Sequence, residues 1–577
     1  MKNALPALLL AINLPLFAQT NLQITHPLVE AILSGNYNGE AYATAVNTPT
    51  DPILLAARLQ NEIRADSLKS YILKLSSFRN RNTGSDTLAP DEGVGAARRW
   101  VHRQFELFST QQNNRLLPTY FQFDQTICSV GQHRNILAVL PGIQPQQQGI
   151  VIVEGHMDSR CDTPCDINCR AEGIEDNATG TALVMELARV MAAYQFNYTL
   201  VFMVTIGEEQ GLYGANAFAL YAQQKGLPVK AVLNNDVIGG IVCGQTSSAP
   251  SCPGLNHIDS TSVRLFSAGG FNSRNKQLAR FIKLQYQENL RQQANVPMLV
   301  RIMSPEDRTG RGGDHIPFRE KGFPAMRFTA ANEHGDASNG PTYVDRQHTD
   351  EDILGLDTNE DGTIDSFFVD FSYLQRNACI NANAAAIAAR GVPPAPDFSA
   401  TRSGSTLLVN LQTEPGDDTL RLAVRTTTND WDTLFTVVGQ KTFTVPCTPT
   451  GGLFVSLARS DGHGAESLFG AEKIVTTSAA AEPEAADKPI ELYQNRPNPF
   501  DEATWIAFFV REVPTYRQAH LRIQDMNGRE VTQIPVNIKP GLNEVLYTHG
   551  YGTSGTLIYT LRVDDRIIGS RQMVFAN

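Results

Sequence analysis

Beyond its first twenty residues the sequence has no apolar run long enough to cross a bilayer as a helix, which argues against a helical membrane span. Nor is positive charge concentrated anywhere. Lys and Arg total 48 against 59 Asp and Glu, a net charge of −11, and no polybasic run stands out. That balance argues against nucleic acid as a partner. No internal repeat is evident, so nothing points to a solenoid or a propeller.

What is present is a chain of 577 residues, too long for one ordinary core, so several domains are expected. It opens with "MKNALPALLLAINLPLFAQT": one Lys, an apolar run, then small and polar residues near Ala18 and Gln19. This is the shape of a secretory signal peptide, residues 1–18, with cleavage expected after Ala18. The eight cysteines suit export, because exported chains can keep disulfides. Cys243 and Cys252 flank a short loop and are plausible partners. Cys161, Cys165 and Cys169, spaced by four, would also suit a thiolate metal site, with disulfides the favoured reading.

From Leu22 to about Asn114 the chain reads mainly helical, with stripes in "DSLKSYILKLSSFRNRNTG" and "VGAARRWVHRQFELF". Apolar strand-like runs follow at "RNILAVLPG", "GIVIVEGHMD", "TLVFMVTIG" and "VKAVLNNDVIGG", interleaved with helical "TGTALVMELARVMAAY" and "GANAFALYAQQKG". Strands that are apolar without alternation indicate a largely parallel or mixed sheet sandwiched by helices, an α/β fold. A last helix, "YLQRNACINANAAAIAARG", closes this part near Gly391. Short alternating strands then predict two small all-β sandwiches, 392–476 and 490–577, joined by the acidic linker 477–489.

In an open sheet of this kind, ligands bind beyond the carboxyl ends of the strands. Those ends carry "GHMD", "GEEQG" and "NNDVIG", hence His156, Asp158, Glu208, Glu209 and Asp236. "EDNATG" places Asp176 before a helix, and "RQHTDED" supplies His348. Taken singly, each has a bland explanation: a surface turn for GEEQG, a helix cap for Asp176, a surface histidine for His348. Their recurrence at successive strand ends favours a site. Two imidazoles and three carboxylates make a mixed nitrogen and oxygen set suited to zinc.

His-x-Asp in "HMD", then Asp-Asn-Ala-Thr-Gly, Gly-Glu-Glu, Asn-Asp and a distal His-Thr resemble the co-catalytic zinc exopeptidases related to bacterial leucyl aminopeptidase and glutamate carboxypeptidase. The resemblance runs from about Leu68 to Gly391, within a peptidase domain of 19–391. It implies two zinc ions: His156 and Asp236 on one, Glu209 and His348 on the other, Asp176 bridging. It further implies Asp158 orienting the ligand His156, Glu208 as general base, and a cis peptide at Asp176-Asn177. His334, in "EHGDASNG", competes with His348, which the His-Thr-x-x-Asp pattern favours. Asp314 and His315 in "GGDHIPF" are expected near the substrate pocket, and Arg311 or Tyr343 could replace the family's oxyanion donor.

"DTNEDGTID" imitates a calcium loop, with Asp357, Asn359, Asp361 and Asp365 as candidate Ca2+ ligands and Gly362 at the sixth position. Its twelfth position is Phe368, so a solvated acidic turn is the favoured reading. "LFVSLARSDGHGAESL" resembles a fibronectin type III domain. "LYQNRPNPF", "LRIQDMNGREV" and "SGTLIYTLRVDDRIIGSRQMVF" resemble the C-terminal sorting domain of type IX secretion substrates, implying export from a Gram-negative, Bacteroidetes-type cell. The expectation is a secreted or surface-attached di-zinc metallopeptidase acting on peptides, foremost an aminopeptidase. A carboxypeptidase, a glutaminyl cyclase and a non-catalytic binding module are the alternatives.

Overall fold

A computed structural model describes residues 19–44, 48–242, 257–270, 272–308, 310–332, 346–426, 428, 430–447, 452–475, 489–500, 503–549, 555–564 and 566–575. The expected signal peptide, Cys243 and Cys252, His334, Tyr343 and nearly all of the linker lie outside the described residues.

Nine strands form the main sheet: β1 (Thr20–Ile24), β2 (Leu117–Ile127), β3 (Val130–Leu140), β4 (Ile150–His156), β5 (Thr199–Thr205), β6 (Val229–Asn235), β7 (Ser262–Phe266), β8 (Leu299–Ile302) and β9 (Ala325–Ala330). Their order is β1-β2-β3-β5-β4-β6-β9-β7-β8. The neighbours β5, β4, β6 and β9 run parallel, while β3 joins β5, and β7 joins β9, antiparallel. The sheet is mixed with a parallel centre.

Both faces of that centre are covered, which is why its strands read as unbroken apolar runs. Val151, Val153, Leu200, Phe202 and Val204 face one core, shared with the helices Ala65–Ser76, Gly93–Gln111, Thr179–Met191 and Phe371–Ala389. Ile150, Ile152, Val201 and Met203 face the other, against the helix Tyr213–Gln224. The helices expected from periodicity are present. The segment from Leu22 to about Asn114 is mainly helical as expected, but it opens on β1, which pairs with β2. Its partner lies about a hundred residues on, so local periodicity carries no trace of the pairing.

Two smaller antiparallel units follow. In the first, Phe398–Ser403, Thr406–Leu411 and Thr442–Pro446 form one sheet; Thr433–Val438, Thr419–Arg425, Leu453–Ser460 and Lys473–Val475 form the other. Leu407, Val409, Leu422 and Val455 fill the space between them. The second unit, from Ile490, likewise pairs a three-stranded with a four-stranded sheet. The first unit sits against the helix Arg274–Gln285, where Leu284 packs on Ala423, Ala458 and Phe469. There the Glu472 carboxylate, almost fully buried, is gripped by Arg425 and faces Arg280 at 3.4 Å.

Candidate metal centre

The parallel order β5-β4-β6 brings three strand ends together, and each ends in a chemically active residue. His156 closes β4, Glu208 and Glu209 follow β5, and Asp236 follows β6. Asp176 comes from the turn before the helix Thr179–Met191, and its peptide bond to Asn177 is cis. That helix start approaches β6 closely because position 180 is glycine: a Cβ on Gly180 would lie 2.2 Å from the Asn235 carbonyl oxygen.

The seven expected residues converge. His156 Nε2 lies 3.1 Å from Asp176 Oδ1, 3.5 Å from Asp236 Oδ1 and 4.0 Å from Glu208 Oε2. His348 Nε2 lies 3.0 Å from Asp176 Oδ2 and 3.2 Å from Glu209 Oε2. Asp176 thus presents one oxygen to each histidine. His156, Asp176 and Asp236 form one group able to hold a cation, and Asp176, Glu209 and His348 form a second. Two buried atoms of these residues, His156 Nε2 and Glu209 Oε1, have no hydrogen-bond partner. Orphaned donor atoms amid converging carboxylates are what a metal centre leaves unsatisfied. The donor set fits zinc.

The charges tell the same story. Burial disfavours the imidazolium of His156, but Glu208, Asp158, Asp176 and Asp236 outweigh it and hold its pKa well above the ordinary value. His348 behaves alike: burial opposes its charge, yet Glu209 and Asp176 push it up to about 9. Burial, against the pull of His156, drives the Glu208 carboxyl well above the usual range, with Asp236, Glu209 and Asp314 adding to it. So dense a set of acids draws in whatever positive charge is available, and a divalent cation would supply it directly.

Asp158 organises the near side. Its carboxylate accepts the backbone N–H of Glu208 at 3.3 Å and of Glu209 at 3.1 Å, and the Thr83 hydroxyl at 3.2 Å. Its own carbonyl oxygen lies 3.0 Å from His156 Nδ1. Thr83 in turn accepts from Gly207 N–H at 3.0 Å.

Several positioning residues went unassigned from sequence. Asp352 accepts the N–H groups of Glu175 at 2.9 Å and Asp176 at 3.0 Å, tying the His348 segment to the shared carboxylate. It is the last residue of the His-Thr-x-x-Asp pattern, so that signal was present. Arg327 reaches Asp236 Oδ2 at 3.3 Å. The fully buried Arg81 donates to the carbonyls of Met157 and Gly173, both at 2.8 Å, and also to that of Glu172. Arg160 contacts Glu209 and His348. No spacing rule announces any of these arginines.

The favoured disulfides are present. Cys161 pairs with Cys169 and Cys128 with Cys165, so the three closely spaced thiols are not a metal site. Cys128–Cys165 pins the loop after β4 to the β2–β3 hairpin, and Cys161–Cys169 closes that loop on itself. Asp314 and His315 are fully buried, and Asp314 accepts from the Thr205 hydroxyl at the foot of the cluster. Arg311 donates to Gln347 Oε1 at 3.2 Å. The loop from Asp357 to Asp365 takes the form of the favoured acidic turn, and nothing in it supports Ca2+. Asp357 accepts the N–H groups of Asp361 and Gly362, Asp365 accepts Thr358, and Asp361 accepts Thr363. These are turn hydrogen bonds on exposed residues. Among the described residues, the groups able to hold an ion are the two that share Asp176.

Fold and site therefore define an α/β protein with a two-part, carboxylate-linked candidate metal centre. A family model described as peptidase family M28 matches residues 135–368. A probable zinc metalloprotease of Leptosphaeria maculans is 32% identical over 335 residues, spanning 56% of this chain and 73% of that protein. Among solved structures, the Legionella pneumophila LapA aminopeptidase aligns with 60% of this chain and 77% of its own at 18% identity and a TM-score of 0.41. Porphyromonas gingivalis glutaminyl cyclase aligns with 56% and 98% at 15% identity and a TM-score of 0.37. The chain belongs to peptidase family M28.

Proposed function

We propose that this chain is an exported exopeptidase that works with two zinc ions and releases residues from the amino termini of peptides. The observation that carries this reading is Asp176, whose two oxygens each face a different histidine. His156, Asp176 and Asp236 would hold one zinc ion; Asp176, Glu209 and His348 would hold the other. Bound there, the pair would polarise a scissile carbonyl and acidify water near neutral pH.

The chain's own residues supply the rest. Glu208 stands outside both ligand groups, yet its carboxylate reaches 4.0 Å from His156 Nε2. It is placed to accept a proton from the attacking water and return it to the leaving amine. Asp158 fixes Glu208 and Glu209 through their backbone N–H groups, and its carbonyl gives His156 Nδ1–H an acceptor, leaving Nε2 free as the ligand atom. Relatives named as probable zinc metalloproteases support zinc, and the sequence resemblance to leucyl aminopeptidase supports the amino terminus as the point of attack.

The two disulfides support an oxidising compartment. Among the described residues no helix is long and apolar enough to cross a membrane. On sequence resemblance, residues 392–476 are a fibronectin type III-like spacer and residues 490–577 a sorting domain read by type IX secretion machinery.

The test is metal content together with turnover of free-amino, amino-blocked and carboxyl-terminal peptide substrates. About two zinc ions per chain and cleavage of free amino termini alone are expected. Glu208→Gln should retain the metal and lose about 100-fold or more in kcat. Cyclisation of amino-terminal glutamine, or cleavage from the carboxyl end, would replace the aminopeptidase reading.

A further inference from the structure

The metal centre lies at the carboxyl ends of the parallel strands, and a separate cavity lies at their other ends. Tyr198 directly precedes β5, Lys230 is the second residue of β6, and Pro324 directly precedes β9; all three line this cavity. From Lys230 to Asp236 an extended strand spans roughly 20 Å, so the cavity is remote from the acidic cluster. The first turns of the helix Arg274–Gln285 close one side of it. The segment from Glu466 to Glu472, in the first β unit, closes another. Its volume is about 470 Å³, the size of a small-molecule site.

Its walls divide by chemistry. Leu278, Val392 and Phe469 give it an apolar side. Against them stand two cations, half-buried Lys230 and, at the exposed mouth, Arg274. Arg274 donates to the Gly322 carbonyl at 3.3 Å, and among the described residues neither cation has a carboxylate partner. Burial, and then the charge of Arg274, hold the Lys230 ammonium below its ordinary value. The carboxylates of the lining are committed elsewhere: Glu472 to Arg425 and Arg280, Glu466 to Gln285 at 2.7 Å and to Arg421 at 3.7 Å. Two like charges beside apolar surface, without a counter-charge, carry a cost that a bound anion would remove.

We propose that this cavity binds a small organic carboxylate with an apolar body. The carboxylate pairs with Lys230 and Arg274, and the body lies against Leu278, Val392 and Phe469. Because the walls come from both the peptidase part and the first β unit, the ligand bridges the two and strengthens their joint. The site is independent of the metal centre and of the reaction performed there.

Calorimetric titration of the full chain with hydrocinnamate, a phenyl-bearing carboxylate, tests this, with its neutral amide and with acetate as comparisons. Hydrocinnamate should bind at about one equivalent. The amide keeps the body and acetate keeps the charge, and each should bind about 10-fold more weakly or worse. Lys230→Met retains the methylene stem without the charge and should lose about 10-fold or more in hydrocinnamate affinity. Arg274→Gln, at an exposed position, should weaken binding in the same direction. Lys230→Met should also unfold at no lower a temperature than the parent and keep its kcat, which reports that it is folded. A carboxylate that merely ligated the metal centre would bind Lys230→Met as well as it binds the parent, and that result overturns the proposal. So does equal binding of the amide, or no binding of hydrocinnamate at millimolar concentration.

Discussion

At the residue scale, like charges are tolerated here because protons or metal ions compensate for them. His348, pushed up to about 9 by Glu209 and Asp176 against the opposing effect of burial, carries a proton at neutral pH in the metal-free protein. Zinc has to displace it. Uptake should release protons at pH 7, and apparent affinity should climb by about tenfold per pH unit for each proton displaced, levelling off above pH 9. Calorimetry in buffers of different ionisation enthalpy measures the proton count directly; a count of zero at pH 7 would contradict the assignment. The residues of the candidate centre were legible in the sequence because each sits in a short, distinctive string, most of them at strand ends. The arginines around them were not. Arg81, Arg160 and Arg327 act through contacts with distant segments, and a lone arginine carries no motif that says which carbonyl or carboxylate it will meet.

At the scale of elements, the centre of the sheet was readable because strands covered on both faces appear as continuous apolar runs. Its edge was not, since β1 depends on a pairing far along the chain. The loop after β4 was only partly readable: three cysteines announced bridges without their pairing. Those bridges matter for the rim of the site, because Cys161 adjoins Arg160 and Cys165 ties the same loop to Cys128. Replacing Cys128 and Cys165 together by serine should cost about 2–4 kcal/mol in urea unfolding. It should also raise KM more than it lowers kcat, because the ligand residues themselves are held by Asp158, Asp352 and the sheet. Equal stability of variant and parent would show that the loop is held by its hydrogen bonds alone.

At the scale of the whole molecule, the first β unit is fastened to the peptidase part through a buried charge. Burial raises the Glu472 carboxyl, but its hydrogen bonds with Arg425, and the charges of Arg425 and Arg280, prevail and hold it below its ordinary value. A carboxylate depressed by folding stabilises above its unfolded pKa of about 4.3, and that contribution is lost as pH falls through the folded value. Glu472→Gln should therefore lower Tm at pH 7, and the gap to the wild type should close as pH drops below about 4. A gap that persists unchanged in acid would assign the effect to packing. Composition and alternation alone indicated two β units after the α/β part; nothing in them foretold that Glu472 would close the joint, because its partners lie on separate segments of the chain.

The hydrogen bond from Asp176 N–H to Asp352 has a further consequence, one that concerns time instead of space. The shared carboxylate is anchored by a residue made long after it, and His348 arrives only shortly before. A ribosome that has finished β4, β5 and β6 has produced the sheet and three strand ends, yet no complete centre. The candidate centre is thus a late product of the chain's own synthesis, and a chain broken anywhere before Asp352 is a scaffold with that centre unfinished.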